Sequence, residues 1–202
     1  MGLVLASGSA IRAQLLRQAG LDFSVTTAPV DEAEIKLSLK AEGLAVERVA
    51  EALAEAKASR VTARLGSADQ SDTVVIGADQ MLDIDGTWLD KPRDLDEART
   101  HLQMLRGRSH RLVSSVVLVA GGNRIWHHTA DAYLRMRPFS DTFLDHYLAS
   151  AAPVLLSSVG CYQLEGNGVQ LFDRIDGDFF TILGLPLLPL LGQLRQLGLL
   201  QD

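Results

Sequence analysis

Apolar positions follow two rhythms along this chain. Residues 3–6 form a short β-branched and aliphatic run that reads as a buried strand. The small loop Ser7-Gly8-Ser9 follows, and Ser9 is a natural N-cap for a helix over 10–19 that Gly20 ends. Residues 22–27 alternate and read as a second strand. This strand–loop–helix–strand order leaves backbone N–H groups at a helix N-terminus, a ready anion site. After Pro29-Val30-Asp31-Glu32, a polar, helix-prone segment runs to Gly43. Residues 44–65 read as a long helix whose inner stripe is Val46, Val49, Leu53, Lys57 and Val61. Glu47, Glu51 and Glu55 lie mostly off that stripe. Residues 66–72 are a polar connection.

The central stretch is VVIGADQMLDIDGTWLDKP, residues 74–92. Residues 73–76 read as a buried strand, and Gly77 and Ala78 clear space for backbone. Asp79 and Gln80 are placed at the strand's carboxyl end, where α/β sheets bind ligands. Asp85-Gly86 marks a hairpin turn that brings back Lys91, fixed by Pro92. Asp94 and Glu97 resemble a capping box, opening a helix to about 106 that stops at Gly107. Residues 109–120 and 124–137 are strands around Gly121-Gly122, with Ala132, Leu134 and Met136 on one face and Tyr133, Arg135 and Arg137 on the other. Ser140 caps a helix to about 150; residues 153–156 read as a loop and 157–164 as a strand. Glu165-Gly166-Asn167-Gly168 is a loop, 169–175 an element whose type the pattern leaves open, and 176–178 a turn. Pro186 opens a last helix to about 197. The class is α/β, and no repeat or linker divides residues 1–202, so one domain is expected.

Composition narrows the function. The 202 residues, 47% hydrophobic and 22% charged, suffice for a sizeable core. A net charge of −6 argues against a protein that coats a nucleic-acid polymer, but not against a small anionic substrate. Cys161 is the only cysteine, which excludes an internal disulfide and fits a reducing compartment. The first ten residues lack the basic region of a signal peptide. The most apolar stretch, 179–191, is broken by Gly184, Pro186 and Pro189 and is too short to span a bilayer. A cytoplasmic protein is expected.

Asp79 could activate a water or hold a divalent metal; taken alone it reads first as an N-cap or turn aspartate at a strand end. Lys57, on an apolar stripe, must snorkel to water or meet an anion. Arg12, beside the Ser7–Ser9 loop, can grip phosphate oxygens or stay a solvated helix charge. Lys91 is a phosphate clamp or a surface lysine. Asp31 and Glu32 could ligate Mg²⁺ or simply start a helix. Glu165 could read a base edge, hold a metal or be a loop acid. His127 and His128 are adjacent on a strand and point apart, so they do not share an ion. Cys161 reads as a small core residue. No GxxxxGK[ST], HExxH, GxSxG or CxxC pattern occurs.

The stretches LASGSAIRAQLL, APVDE, AEALAEAKA, VVIGADQMLDIDGTWLDKPRDLDEARTHLQMLRGRSH and VGCYQLEGNGVQLFDRIDGDFFTILGLPLLPLL together resemble the Maf family of nucleotide pyrophosphatases, in order and over nearly the whole chain. The resemblance implies an elongated, Maf/ITPase-like mixed β-sheet with flanking helices and a central cleft between two lobes. It implies hydrolysis of a nucleoside triphosphate to the monophosphate and pyrophosphate with a divalent metal, Mg²⁺ or Mn²⁺, and a homodimer. Carried over by position, the catalytic acid is Asp79, the phosphate-binding residues are Ser7, Ser9, Arg12, Lys57 and Lys91, and the metal ligands are Glu32 and Asp79. Well-known members have Ser-Pro-Arg-Arg where this chain has Ser9-Ala10-Ile11-Arg12, Thr where it has Gln80, and Gln where it has Glu165. Those positions, Ile11, Gln80 and Glu165, match the ones linked to base choice. Gln80 and Glu165 agree with the 7-methyl-GTP-preferring branch, whereas Ile11 replaces that branch's aromatic. A carboxylate suits a methylated guanine, which is cationic and offers N1–H and 2-amino donors.

The expected activity is therefore pyrophosphate release in house-cleaning of non-standard nucleotides. The rivals are a dTTP/UTP/CTP-preferring pyrophosphatase, a nucleotide-binding regulator of septum formation with vestigial catalysis, and a nucleotidyl transferase. The last would need an acceptor site that nothing in the sequence identifies.

Overall fold

The computed structural model describes residues 2–66, 69–70 and 72–201. Its strands are β1 (Gly2–Leu5), β2 (Ser24–Val25), β3 (Thr73–Ile84), β4 (Thr87–Leu89), β5 (Ser109–Ala120), β6 (Asn123–Met136) and β7 (Phe172–Asp176). Its helices are α1 (Ala10–Gln18), α2 (Glu32–Ala41), α3 (Val46–Thr62), α4 (Leu95–Leu105), α5 (Asp141–Leu155), α6 (Phe179–Ile182) and α7 (Leu187–Gln196). The sheet is mixed, with order β2-β1-β3-β5-β6-β7 and β4 paired to β3. β1 runs parallel to both β2 and β3, while β3–β4 and β6–β7 are antiparallel. This is the α/β class that the pattern implies, with the mixed sheet that the family resemblance implies.

The chain falls into two compact units. The first comprises Met1–Gln80, Ser114–Ala130 and Gly184–Asp202; the second comprises Met81–Val113 and Asp131–Leu183. In the first unit, α3 packs Ala54, Ala58 and Val61 onto Val4, Val75, Val117 and Val119. The centre of β5 is thus core, with residues 116–119 at most 1% exposed. In the second unit, Leu82, Leu102, Leu105, Leu134 and Leu144 centre another core.

Local signals explain most boundaries. The Ser9 side chain accepts from the Arg12 N–H and caps α1; Gly20, at φ 79°, ends it. Asp31 caps α2 by accepting from Glu34 N at 3.0 Å. Asp85 and Gly86, both at positive φ, form the two-residue turn between Ile84 and Thr87, the geometry of a type I′ hairpin. Asp94 caps α4 through Glu97 N at 2.8 Å, but the Glu97 carboxylate reaches back to Arg93 N rather than to its own cap residue.

Four expectations are corrected. β3 does not stop before Asp79 and Gln80: apolar Met81, Leu82 and Ile84 keep it buried, and β4 pairs with Leu82–Ile84, so both residues sit mid-strand. The strand over 22–27 shrinks to Ser24–Val25, both exposed. Residues 153–155 are helix, because Leu144, Tyr147, Leu148, Ala151 and Leu155 form one buried stripe that carries α5 through Pro153. Residues 157–164 are not a strand. Gly160 and Cys161 take positive φ, and a 3₁₀ turn at Val159–Cys161 replaces it. The open element at 169–175 is the end of a second 3₁₀ turn, Asn167–Leu171, followed by β7. Part of the 66–72 connection lies outside the described residues.

Candidate active site

Gly77 decides where the site forms. A Cβ there would lie 2.0 Å from the Ala54 carbonyl oxygen and 2.9 Å from the Ala58 Cβ. Only a missing side chain lets α3 approach β3 this closely. The next residue on that face of the strand is Asp79, and Lys57 immediately precedes the Ala58 contact on α3. The Lys57 ammonium donates to Asp79 Oδ1 and lies 2.9 Å from Glu32 Oε1 at the start of α2. The Lys57 side chain is 17% exposed, Asp79 7% and Glu32 45%, so the cluster is buried at the strand and opens toward the helix start. Lys57 resolves its place on an apolar stripe by meeting carboxylates, not by snorkelling.

A second set of residues gathers at the edge of β3. The β1–β3 pairing ends at Leu5–Ile76. The chain then turns through Ser7-Gly8-Ser9 into α1. Arg12, buried, donates Nη1 to the Ala78 carbonyl at 2.9 Å and to Ser7 Oγ at 3.3 Å, and Nε to the Gly184 carbonyl at 2.8 Å. Burial pulls the Arg12 guanidinium pKa down, and the negative charges of Asp79 and Glu32 partly restore it. Ser7 Oγ also accepts from Ser9 N at 3.3 Å, so the small loop satisfies part of its own backbone.

Strand alternation turns Gln80 away from Asp79. Its Nε2 donates to Ser114 Oγ at 3.0 Å, and its Oε1 is 3.6 Å from where a Gly184 Cβ would stand. Ile11 is half-buried on α1. Lys91, after β4, and Glu165, in the loop before Asn167, are exposed side chains of the second unit. Sequence reasoning missed Gly184 and Ser114. The signal for Ser114 was present: Ser114 and Ser115 interrupt the apolar run of residues 112–120, and both are fully buried. Nothing in the pattern marked Gly184.

Other candidates resolve as structure. Cys161 is buried, its Sγ 3.9 Å from His101 Nδ1, and burial pushes its thiol up to about 12. His128 stacks on Trp126, while His127 lies 3.7 Å from Glu51. Glu51, off the inner stripe of α3, is nonetheless buried beneath Arg48 and Arg124. Among the described residues no group of three or more His, Cys, Asp or Glu could hold a metal. Two carboxylates, Asp79 and Glu32, do converge on one cation. That donor set fits an ion such as Mg²⁺, which takes one or two carboxylates and completes its shell with substrate oxygens. No described helix is long and apolar enough to cross a membrane.

The family model described as "Maf-like protein" matches residues 2–197. The chain belongs to the Maf family. Among similar proteins, a "Nucleoside triphosphate pyrophosphatase" of Granulibacter bethesdensis is 53% identical over 97% of this chain and 97% of its own. Another of that description, from Paramagnetospirillum magneticum, is 55% identical over 96% of this chain and 98% of its own. A "7-methyl-GTP pyrophosphatase" of Rhizobium meliloti is 48% identical over 97% and 96%. A solved nucleoside-triphosphatase, a dITP/XTP pyrophosphatase from Mycobacterium abscessus, is only distantly alike, at 15% identity and a TM-score of 0.41 over 69% of this chain and 76% of that one.

Proposed function

We propose that this Maf-like protein hydrolyses a nucleoside triphosphate to the monophosphate and pyrophosphate. The observation that carries the reading is the Lys57 ammonium shared by Asp79 and Glu32. A triphosphate arriving at Lys57 competes for that ammonium and releases the Asp79 carboxylate. Asp79 then takes a proton from a water whose oxygen bonds to the α-phosphorus, and the α–β bridging P–O bond breaks as pyrophosphate leaves. Lys57 and Lys91 counter the charge that grows on the leaving group. Ser7 and Ser9 line the anion loop. Arg12 offers it Nη2, which makes no protein hydrogen bond among the described residues. A divalent metal, Mg²⁺ or Mn²⁺, held by Glu32 and Asp79, would supply charge neutralisation on the phosphate oxygens.

For the base we assign Ile11, Gln80 and Glu165, and within the family a 7-methyl-GTP-like substrate. The acid at Glu165 and the amide at Gln80 support it. The relatives' names support both this substrate and the broader description. A role in clearing modified nucleotides from the cytoplasm follows from that chemistry. A regulator without catalysis is not favoured, because Asp79 and Lys57 are both kept and are hydrogen-bonded.

The test is pyrophosphate release across nucleotides, with and without Mg²⁺ or Mn²⁺, for the parent protein and Asp79→Asn. The variant should lose a factor of about 10² to 10⁴ in kcat while still binding nucleotide. Full turnover in the variant would remove Asp79 from the mechanism.

A further inference from the structure

Arg12 spends most of its guanidinium on the protein itself. Its Nε bonds the Gly184 carbonyl and its Nη1 bonds the Ala78 carbonyl and Ser7 Oγ. The Ala78 carbonyl belongs to the peptide whose N–H is that of Asp79. It lies on the β3 edge just past the point where β1 stops pairing. An unpaired buried carbonyl there would be costly, and Arg12 takes the place of the missing strand. Gly184 completes the seat. Its backbone is at φ 95°, and a Cβ on it would stand 3.3 Å from Arg12 Nη2 and 3.4 Å from Nε, tighter than ordinary contact in the first case. The positive φ and the close guanidinium both favour a residue without a side chain at this position.

We propose that Arg12 and Gly184 form a strut that fixes the Ala78–Asp79 peptide, making Arg12 a positioning residue for Asp79 as well as a neighbour of the anion loop. The inference rests on the reading of Asp79 as the base. Two buried carbonyls set about a planar fork demand arginine geometry; a lysine ammonium supplies the same charge as a single point and cannot hold both. A group that only neutralised phosphate would tolerate that exchange far better.

The experiment compares Arg12→Lys, Arg12→Ala and Gly184→Ala with the parent. It measures kcat and KM for pyrophosphate release and the Kd of a non-hydrolysable α,β-methylene nucleoside triphosphate, well below each variant's melting temperature. Misplacement of a reacting group by about 1 Å costs up to about 10²-fold in rate. We expect Arg12→Lys to lose about tenfold or more in kcat with KM and Kd changed less than about threefold. Gly184→Ala, which keeps the arginine but crowds its seat, should show the same split. A near-parental kcat in Arg12→Lys, or a loss confined to KM and Kd in Arg12→Ala, overturns the strut. If Gly184→Ala proves unstable, the Arg12→Lys split decides alone. Asp79→Asn runs alongside: undiminished turnover there refutes the premise about the base, a result distinct from a failed strut.

Discussion

Replacing Gly77 by alanine should separate Lys57 from Asp79 without touching either. The added Cβ would lie 2.0 Å from the Ala54 carbonyl oxygen, where ordinary contact begins near 3.4 Å. Helix α3 must therefore retreat by roughly 1.4 Å, or β3 must bend, because the clash is with backbone and no rotamer relieves it. Overpacking of this kind costs about 1 to 3 kcal/mol. For a chain of this length each kcal/mol lowers Tm by roughly 2 to 4 °C, so a drop of about 2 to 12 °C is expected by calorimetry. The same retreat carries Lys57 away from Asp79, and kcat/KM for pyrophosphate release should fall by up to about 10²-fold. Ala58→Gly should not rescue it, since that change relieves only the 2.9 Å contact with a side chain. A Gly77→Ala protein with Tm within about 1 °C of the parent and activity within about twofold would refute the claim that the missing Cβ sets the helix–strand distance.

Two further outcomes are expected. Exchanging Gln80→Thr together with Glu165→Gln should shift kcat/KM toward dTTP or UTP relative to 7-methyl-GTP; an unchanged ratio refutes the assignment of those residues to the base. His110 is buried, with Nε2 2.7 Å from the Tyr162 hydroxyl and Nδ1 without a partner among the described residues, and burial lowers its pKa to about 4. The unfolded chain protonates this residue near pH 6.5 and the native one does not. Stability contributed by neutral His110 is thus whole above pH 6.5 and declines as pH falls toward 4, by up to about 3 kcal/mol. Urea midpoints across that range should lose this slope in His110→Gln, and identical pH dependence in both proteins would count against it.

The sequence alone determined the local elements whose causes are local. Ser9, Asp94 and Ser140 announced helix starts, Asp85-Gly86 and Gly121-Gly122 announced hairpins, and Lys57 on an apolar stripe announced a buried partner. It also carried the family. It misread residues 157–164, where an apolar, β-prone string is bent by positive φ at Gly160 and Cys161. There Tyr162 turns inward to Phe172 and to His110, the latter 52 residues away in the chain. It ended β3 too early, because the pairing that extends the strand comes from β4. It left Arg12 open between a phosphate ligand and a solvated helix charge and could not show the Ala78 and Gly184 carbonyls that it bonds, 66 and 172 residues away. Spacing along a chain fixes which face a side chain takes within its own helix or strand. Which distant backbone group that side chain must satisfy is decided only when strands pair and one of them, here β1, ends before its neighbour.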